Sequence, residues 1–338
     1  MTTELQSRLR VYCYVKFDQF DEVEIPTFTM LATNPESSVY AFTLQYLRDG
    51  QPESQSLILK TFQDDMYGKD RTLKERHALK NLHFRGYPVP RPLASETDAN
   101  HIGVPFIIME QIPGRLLGEV LKEAPPAQRP ALITPFVQLL VDLHNMNLKA
   151  LVDNLIVKDD YTLIKRELYN LKGLVDGHDA LTSVLGWLTA RRDTVPCKRP
   201  SINHRDFHPW NVLIGENGRQ TVIDWGWQIS DRRYDLAWLI TKLHREGLGD
   251  LNPLILEEYQ RLDDVTVEQL DYFEVLANLR WLANVGREIQ TNPALQNGSR
   301  AQMRTGLLPM ATRSIHQIAE QTGLDMPTAE NLLDEFTV

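Results

Sequence analysis

The sequence predicts an α+β fold of two lobes, a small antiparallel sheet followed by a larger, mainly helical part. Three observations carry this expectation. The first hundred or so residues contain three runs of β-branched, aromatic and alternating apolar residues. Beyond Gly114 the apolar residues recur instead at helical spacing. A single hairpin signal, GENGR between two short apolar segments, interrupts that helical part. At 338 residues the chain exceeds the usual size of one hydrophobic core, so two lobes, 1–110 and 111–338, are expected.

Taken in order, Val23–Leu31, Val39–Leu47 and Ser56–Phe62 read as strands, with TNPES and RDGQPES as the turns between them. A helix follows from about Asp70, whose side chain can cap it, to Phe84, and Gly86 and Pro88 stop it. Glu75, Leu79 and Leu82 fall on one face of that helix. A carboxylate on a buried stripe is costly without a cation, so Glu75 is expected to have a basic partner. Val104–Glu110 reads as a strand buried on both faces, and Pro113 and Gly114 end it at a hinge between the lobes. Leu132, Phe136, Leu140 and His144 mark one helix, and Phe273, Leu276, Leu279 and Val285 mark another over Asp271–Ile289. NVLI and QTVI flank Asn217-Gly218 and form the hairpin.

Composition narrows the function classes. No apolar run approaches the roughly 20 residues that span a bilayer, and the polar amino terminus lacks the apolar core of a signal peptide. The only two cysteines, Cys13 and Cys197, suit neither a disulfide framework nor a zinc site. A cytoplasmic protein with no membrane partner is expected. A net charge of −9 argues against a nucleic-acid partner, since neutralising phosphates needs clustered Lys and Arg. From Glu246 to Val338 fifteen acids face six arginines and no lysine, so residues 1–245 sum to zero and the acidity belongs to the last third. Oligomeric state is not legible.

The most specific segment is HRDFHPWNVLIGENGRQTVIDWG, His204–Gly226. Folding its hairpin brings Asn211, at the start of one strand, close to Asp224, at the end of the other, and the preceding loop can place Asp206 nearby. Two carboxylates about 4 Å apart repel by roughly 4 kcal/mol at an effective dielectric near 20. A hard divalent cation removes that penalty, and oxygen-only ligands select Mg²⁺. Phosphoryl transfer accounts for the whole set: Asp206 as the base that orients and deprotonates a hydroxyl, Asn211 and Asp224 as metal ligands.

HRDFHPWN, VIDWG and YDLAWL together resemble the catalytic loop, metal loop and following helix of the aminoglycoside and choline phosphotransferases, a family with the protein-kinase-like fold. The resemblance covers nearly the whole chain and implies ATP and Mg²⁺ as cofactors and a small-molecule hydroxyl as acceptor. It implies that Lys60, in LILK, contacts the nucleotide phosphates and that Glu75, in KERHALKNL, pairs with that lysine. PFIIMEQIPGRLL resembles the hinge whose backbone holds the adenine, which puts Glu110 and Ile112 at that place. ATNPESSVY has no glycine for a tight cover over the phosphates, leaving Ser37 and Ser38 as donors there. Arg205 and Trp210 stand where many members have glycine. His144, His204 and Asp235 read as structural, Trp225 and Trp238 as core, and His208 as loop support or a phosphate or substrate contact.

The acidity of the last third suits a cationic acceptor, aminoglycoside-like or choline-like, although solvated helix faces are the simpler reading. A nucleotide-binding regulator without catalysis is the rival of a different class. A protein kinase ranks lower, because only ten residues separate Asp224 from Asp235 and no A-P-E follows.

Overall fold

The computed structural model describes residues 2–17, 19–34, 36–148, 157–291 and 299–336. β1 (Asp21–Thr33), β2 (Ser37–Arg48) and β3 (Gln51–Phe62) form an antiparallel meander. β4 (Pro92–Glu96) and β5 (Phe106–Glu110) extend it to a five-stranded sheet of order β1-β2-β3-β5-β4. β2 and β3 pair without a slip from Ser37↔Phe62 to Arg48↔Gln51, so alternation assigns every side chain to one of two faces. Tyr40, Phe42, Leu57 and Leu59 lie on one face, packed with Leu9, Tyr12 and Cys13 of α1 (Thr2–Lys16). That helix goes unread in the sequence because its apolar residues do not keep to one face: Leu9, Tyr12 and Cys13 are buried with Leu5 beside them, while Val11, Tyr14 and Val15 are exposed.

Lys60, the register partner of Val39, lies on the opposite face, under α2 (Met66–Phe84). This helix begins one turn earlier than its sequence suggests. Asp65 is the cap, its side chain accepting from the Gly68 N–H at 2.6 Å, while Asp70 lies inside the helix and pairs with Lys74. Thr72, Glu75, Leu79 and Leu82 are buried along one stripe, as the spacing requires.

β6 (Arg115–Leu116), β8 (Val212–Ile214) and β9 (Gln220–Val222) make a second, three-stranded sheet. Gly218, at φ 77°, supplies the left-handed turn of the β8–β9 hairpin. A Cβ on Gly114 would come within 2.6 Å of the Ile214 carbonyl oxygen, so glycine is what lets the chain entering β6 approach β8. By its contacts the chain divides into two compact units, residues 1–117 with 211–227, and 118–210 with 228–338. The hairpin therefore packs in the same unit as the five-stranded sheet.

The second unit holds α3 (Leu117–Glu123), α4 (Arg129–His144), α5 (Thr162–Val175), α6 (Asp179–Arg191), α7 (Arg232–Arg245), α8 (Asn252–Asp263), α9 (Leu270–Thr291), α10 (Ser299–Thr322) and α11 (Ala329–Glu335). β7 (Pro200–Asn203) and β10 (Gln228–Asp231) pair antiparallel within it. α7 is its central element, buried from Tyr234 to Thr241 and again at Arg245, and packed along α9.

Candidate active site

In the first unit the chemistry gathers around Lys60. Its Nζ lies 2.7 Å from Glu75 Oε2 and 2.5 Å from Asp224 Oδ1, so strand β3, helix α2 and the loop after β9 meet at one ammonium. Burial alone would lower the lysine pKa, but Asp224 and Glu75 more than offset it and hold the ammonium above its ordinary value. Burial pushes the Glu75 carboxyl up, Lys60 only partly opposes this, and the nearby negative charge of Asp224 pushes it the same way as burial. A main-chain hydrogen bond from Trp225 also reaches Glu75. The Asp224 side chain is 55% exposed whereas those of Lys60 and Glu75 are nearly closed off, so Asp224 is the member of this trio open to a ligand. Asp224 also has φ 63°, a left-handed conformation that aspartate tolerates better than most residues.

The hairpin does what its turn signal requires. The Ile223 N–H donates to the Asn211 carbonyl at 2.9 Å, which sets Asn211 beside the residue preceding Asp224. The pair offers an amide and a carboxylate, hard oxygen donors of the kind that Mg²⁺ takes one or two at a time before filling its shell with phosphates and water. Among the described residues no cluster of three or more His, Cys, Asp or Glu is placed to hold a metal ion. The donor set fits Mg²⁺ carried in with a nucleotide.

Glu110 ends β5, three residues from Ile107, the register partner of Lys60, and its carboxylate accepts from the Arg91 N–H at 2.9 Å. Ile112 follows just outside the strand. Ser38 is not brought to Lys60. As the partner of Thr61 it lies on the α1 face of the sheet, where its hydroxyl bonds Thr33 at 2.9 Å. One feature was unread in the sequence. Trp227 stacks on His77 of α2, ring centroids 5.1 Å apart, tying the segment after Asp224 to the helix that carries Glu75. Trp225 is buried against Tyr87, in the core as its sequence context led one to expect.

In the second unit Asp206 sits in a loop that is itself tied down. Asp235, fully buried on α7, accepts from the N–H groups of His204 at 2.5 Å and Arg205 at 2.9 Å, so it fastens the loop and leaves the capping of α7 to Asp231. His204 Nδ1 accepts from the Asp206 N–H at 3.3 Å. His144 is structural too, bonded through Nδ1 to Tyr259 at 2.7 Å. Arg205 has φ 77°, which accounts for glycine being the easier residue at this place. It is held there by a two-pronged ion pair with Glu167, both contacts 2.8 Å, and by the ring of Tyr234 at 4.0 Å. Trp210 is accommodated differently: it lies flat on Gly118, where a Cβ would come within 2.5 Å of its ring.

The Asp206 carboxylate has two partners. Trp238 Nε1 donates to Oδ1 at 2.7 Å, and His208 Nε2 lies 3.2 Å from the same oxygen. Burial would raise the pKa of Asp206, but His208, His204 and the Trp238 N–H outweigh it and hold the group far below the usual carboxylate range. Trp238 is thus more than core. The signal for it was position, i+3 from Asp235 on the helix packed beneath the loop.

A kinase-like antiparallel sheet, a lysine shared by two carboxylates and a separately anchored aspartate loop fit one class, the phosphotransferases. Residues 38–273 match the phosphotransferase enzyme family, and the chain belongs to that family. Over 83 residues it is 36% identical to acyl-CoA dehydrogenase family member 11 of Pongo abelii, a match covering 24% of this chain and 10% of that protein. The chain thus spans about a tenth of the curated relatives it matches. Among solved structures, a mutant of aminoglycoside 2'-phosphotransferase-IIIa in complex with GDP aligns at TM-score 0.62 and 17% identity, covering 94% of this chain and 99% of that one. A thermostable mutant of aminoglycoside phosphotransferase APH(4)-Ia, in ternary complex with AMP-PNP and hygromycin B, aligns at TM-score 0.56 and 14% identity, covering 97% and 98%. At these identities the likeness is one of fold. No helix among the described residues is long and apolar enough to cross a membrane.

Proposed function

We propose that the protein transfers the γ-phosphate of ATP to a hydroxyl of a small molecule. The observation that carries this reading is the Lys60 ammonium shared between buried Glu75 and exposed Asp224. Glu75 fixes the lysine, and the lysine presents its charge to the nucleotide phosphates. The backbone around Glu110 and Ile112 holds the base, and Asn211 and Asp224 hold the metal. Ser38, if it contributes, does so through its main chain. Asn211 and Asp224 would hold a magnesium ion whose charge would offset that developing on the phosphate oxygens during transfer. Asp206 receives the acceptor hydroxyl and orients it, taking its proton late, because a carboxylate held this far ionised is a weak base.

Asp206→Ala is expected to retain ATP binding and to lose at least about 10²-fold in turnover. Asp224→Ala is expected to weaken magnesium-dependent nucleotide binding, measured by calorimetry. Undiminished ADP release from Asp206→Ala would remove that residue from its role. ATP binding without turnover by the parent chain, across a panel of hydroxylated metabolites and antibiotics, would favour the regulator reading.

A further inference from the structure

The acceptor's charge can be argued from the surroundings of Asp206, on the reading that this aspartate orients the acceptor. The acids that make the last third negative stand mainly on its solvent faces. Glu257, Asp264, Glu268, Asp271, Glu320 and Asp325 are all exposed. Around Trp238 and Trp210 cations outnumber carboxylates. α7 carries Asp235, Trp238, Lys242 and Arg245 along one face, at i, i+3, i+7 and i+10. Lys242 and Lys122 lie 5.5 and 4.9 Å from the Trp210 ring, and both pair with Glu246. Arg245 lies 5.4 Å from the Trp238 ring, whose N–H is bonded to Asp206, and 4.8 Å from that of Trp281.

Arg245 is the decisive residue. It is completely buried, and among the described residues no carboxylate pairs with it. Nη1 donates to Asn278 Oδ1 at 2.9 Å, but Nε and Nη2 have no hydrogen-bond partner. Those two nitrogens form the side edge of the guanidinium, the fork that fits a carboxylate or phosphate with two parallel hydrogen bonds. A buried arginine with no carboxylate within ion-pair distance is unfavourable. Consistent with that, burial holds its pKa well below the ordinary arginine value, with Asp206 acting the other way.

We propose that the phosphoryl acceptor carries an oxyanion, a carboxylate or a phosphate, which the Nε–Nη2 edge of Arg245 binds while the acceptor's hydroxyl meets Asp206. Lys242 and Lys122 add attraction at Trp210. The oxyanion reaches the enclosed guanidinium by displacing a neighbour, and half-buried Trp281 is placed to be that neighbour. The cationic acceptor suggested by overall charge is disfavoured, because most of the acids that suggested it are exposed and Glu246, beside Lys122 and Lys242, is already paired with both.

The test is a thermal-shift and calorimetric titration of the full chain saturated with Mg²⁺–ADP, using 3-hydroxybutyrate, glycerol 3-phosphate and choline as probes. Nucleotide binding is measured first, so that its absence counts against the phosphotransferase reading alone. One or both anionic probes should stabilise the parent chain with choline inert, and the carboxylate and phosphate arms separate the two sources of oxyanion. Arg245→Met should abolish the anion's effect. Arg245→Lys, which keeps the charge without the fork, should weaken it at least about tenfold and carries the comparison if the methionine variant does not fold. Stabilisation by choline alone, no binding of either anion, or anion binding unchanged in the Arg245 variants would overturn the proposal.

Discussion

At the scale of single residues, the hydrogen bond from Trp238 to Asp206 has a measurable consequence. An N–H donated to the carboxylate favours its charged form, so Trp238→Phe removes a stabiliser of the anion and the Asp206 pKa rises. In the parent chain this group stays ionised throughout the range above ordinary carboxylates, and it contributes no acid limb to the rate there. In Trp238→Phe the Asp206 pKa should rise, read from its carboxyl titration by NMR below the usual carboxylate range. An unshifted titration would return Trp238 to a packing role. Arg205 is the second case. Burial would raise the pKa of Glu167, but Arg205 more than offsets it and holds the carboxyl below its ordinary value. The pair therefore stabilises the fold above the ordinary glutamate range, and that contribution is lost as pH falls through the lower folded-state value. Breaking a buried pair from one side costs about 3–5 kcal/mol, so Arg205→Gly should destabilise the chain in urea even though it relieves a left-handed backbone. Adding Glu167→Gln should recover part of the loss.

At the scale of elements, helix α2 shows how a start can be misread. Asp65 and Asp70 both satisfy the sequence criterion for a cap, since each is a short acid near the start of the same helix. Only the fold shows that Gly68, in the first turn, bonds Asp65. Asp65→Ala should cost about 1 kcal/mol, and Asp70→Ala, which removes one exposed ion pair, should stay within about 0.5 kcal/mol. Denaturation midpoints at equal slope would reveal the reverse ranking if the cap were misassigned. α3 offers a different test. Gly118→Ala drives a methyl into the Trp210 ring, so it should disturb that tryptophan's fluorescence and lower stability by roughly 1–3 kcal/mol.

At the scale of the whole molecule, each compact unit contains one buried thiol, Cys13 in the first and Cys197 in the second. Burial pushes the Cys13 pKa up to about 12, and Cys197 is also raised. Neither should alkylate at pH 8 in the native state, and each reports the opening of its own unit. Because a smaller unit buries a smaller fraction of its surface, Cys13 should become reactive at lower urea than Cys197, read by mass spectrometry. Simultaneous labelling would mean that the units unfold as one.

The sequence by itself determined what depends on local rules. The antiparallel strands followed from alternation, the hairpin from Asn217-Gly218, the buried stripe through Glu75 from helical spacing, and the phosphotransferase motifs from the order of His204–Gly226. Tertiary structure alone decided which distant groups share an environment. Nothing near Lys60 in sequence announces that Asp224 competes with Glu75 for it. Strand register alone sends Ser38 to the face away from that lysine. α1 escaped notice because exposed Val11, Tyr14 and Val15 blur its buried stripe, which becomes visible only against the sheet it covers. Arg245 reads as one more charge at a helix end until the surrounding side chains seal it from water. Periodicity and turn chemistry act over a few residues, whereas electrostatics and burial are set by whatever the folded chain brings within a few ångströms.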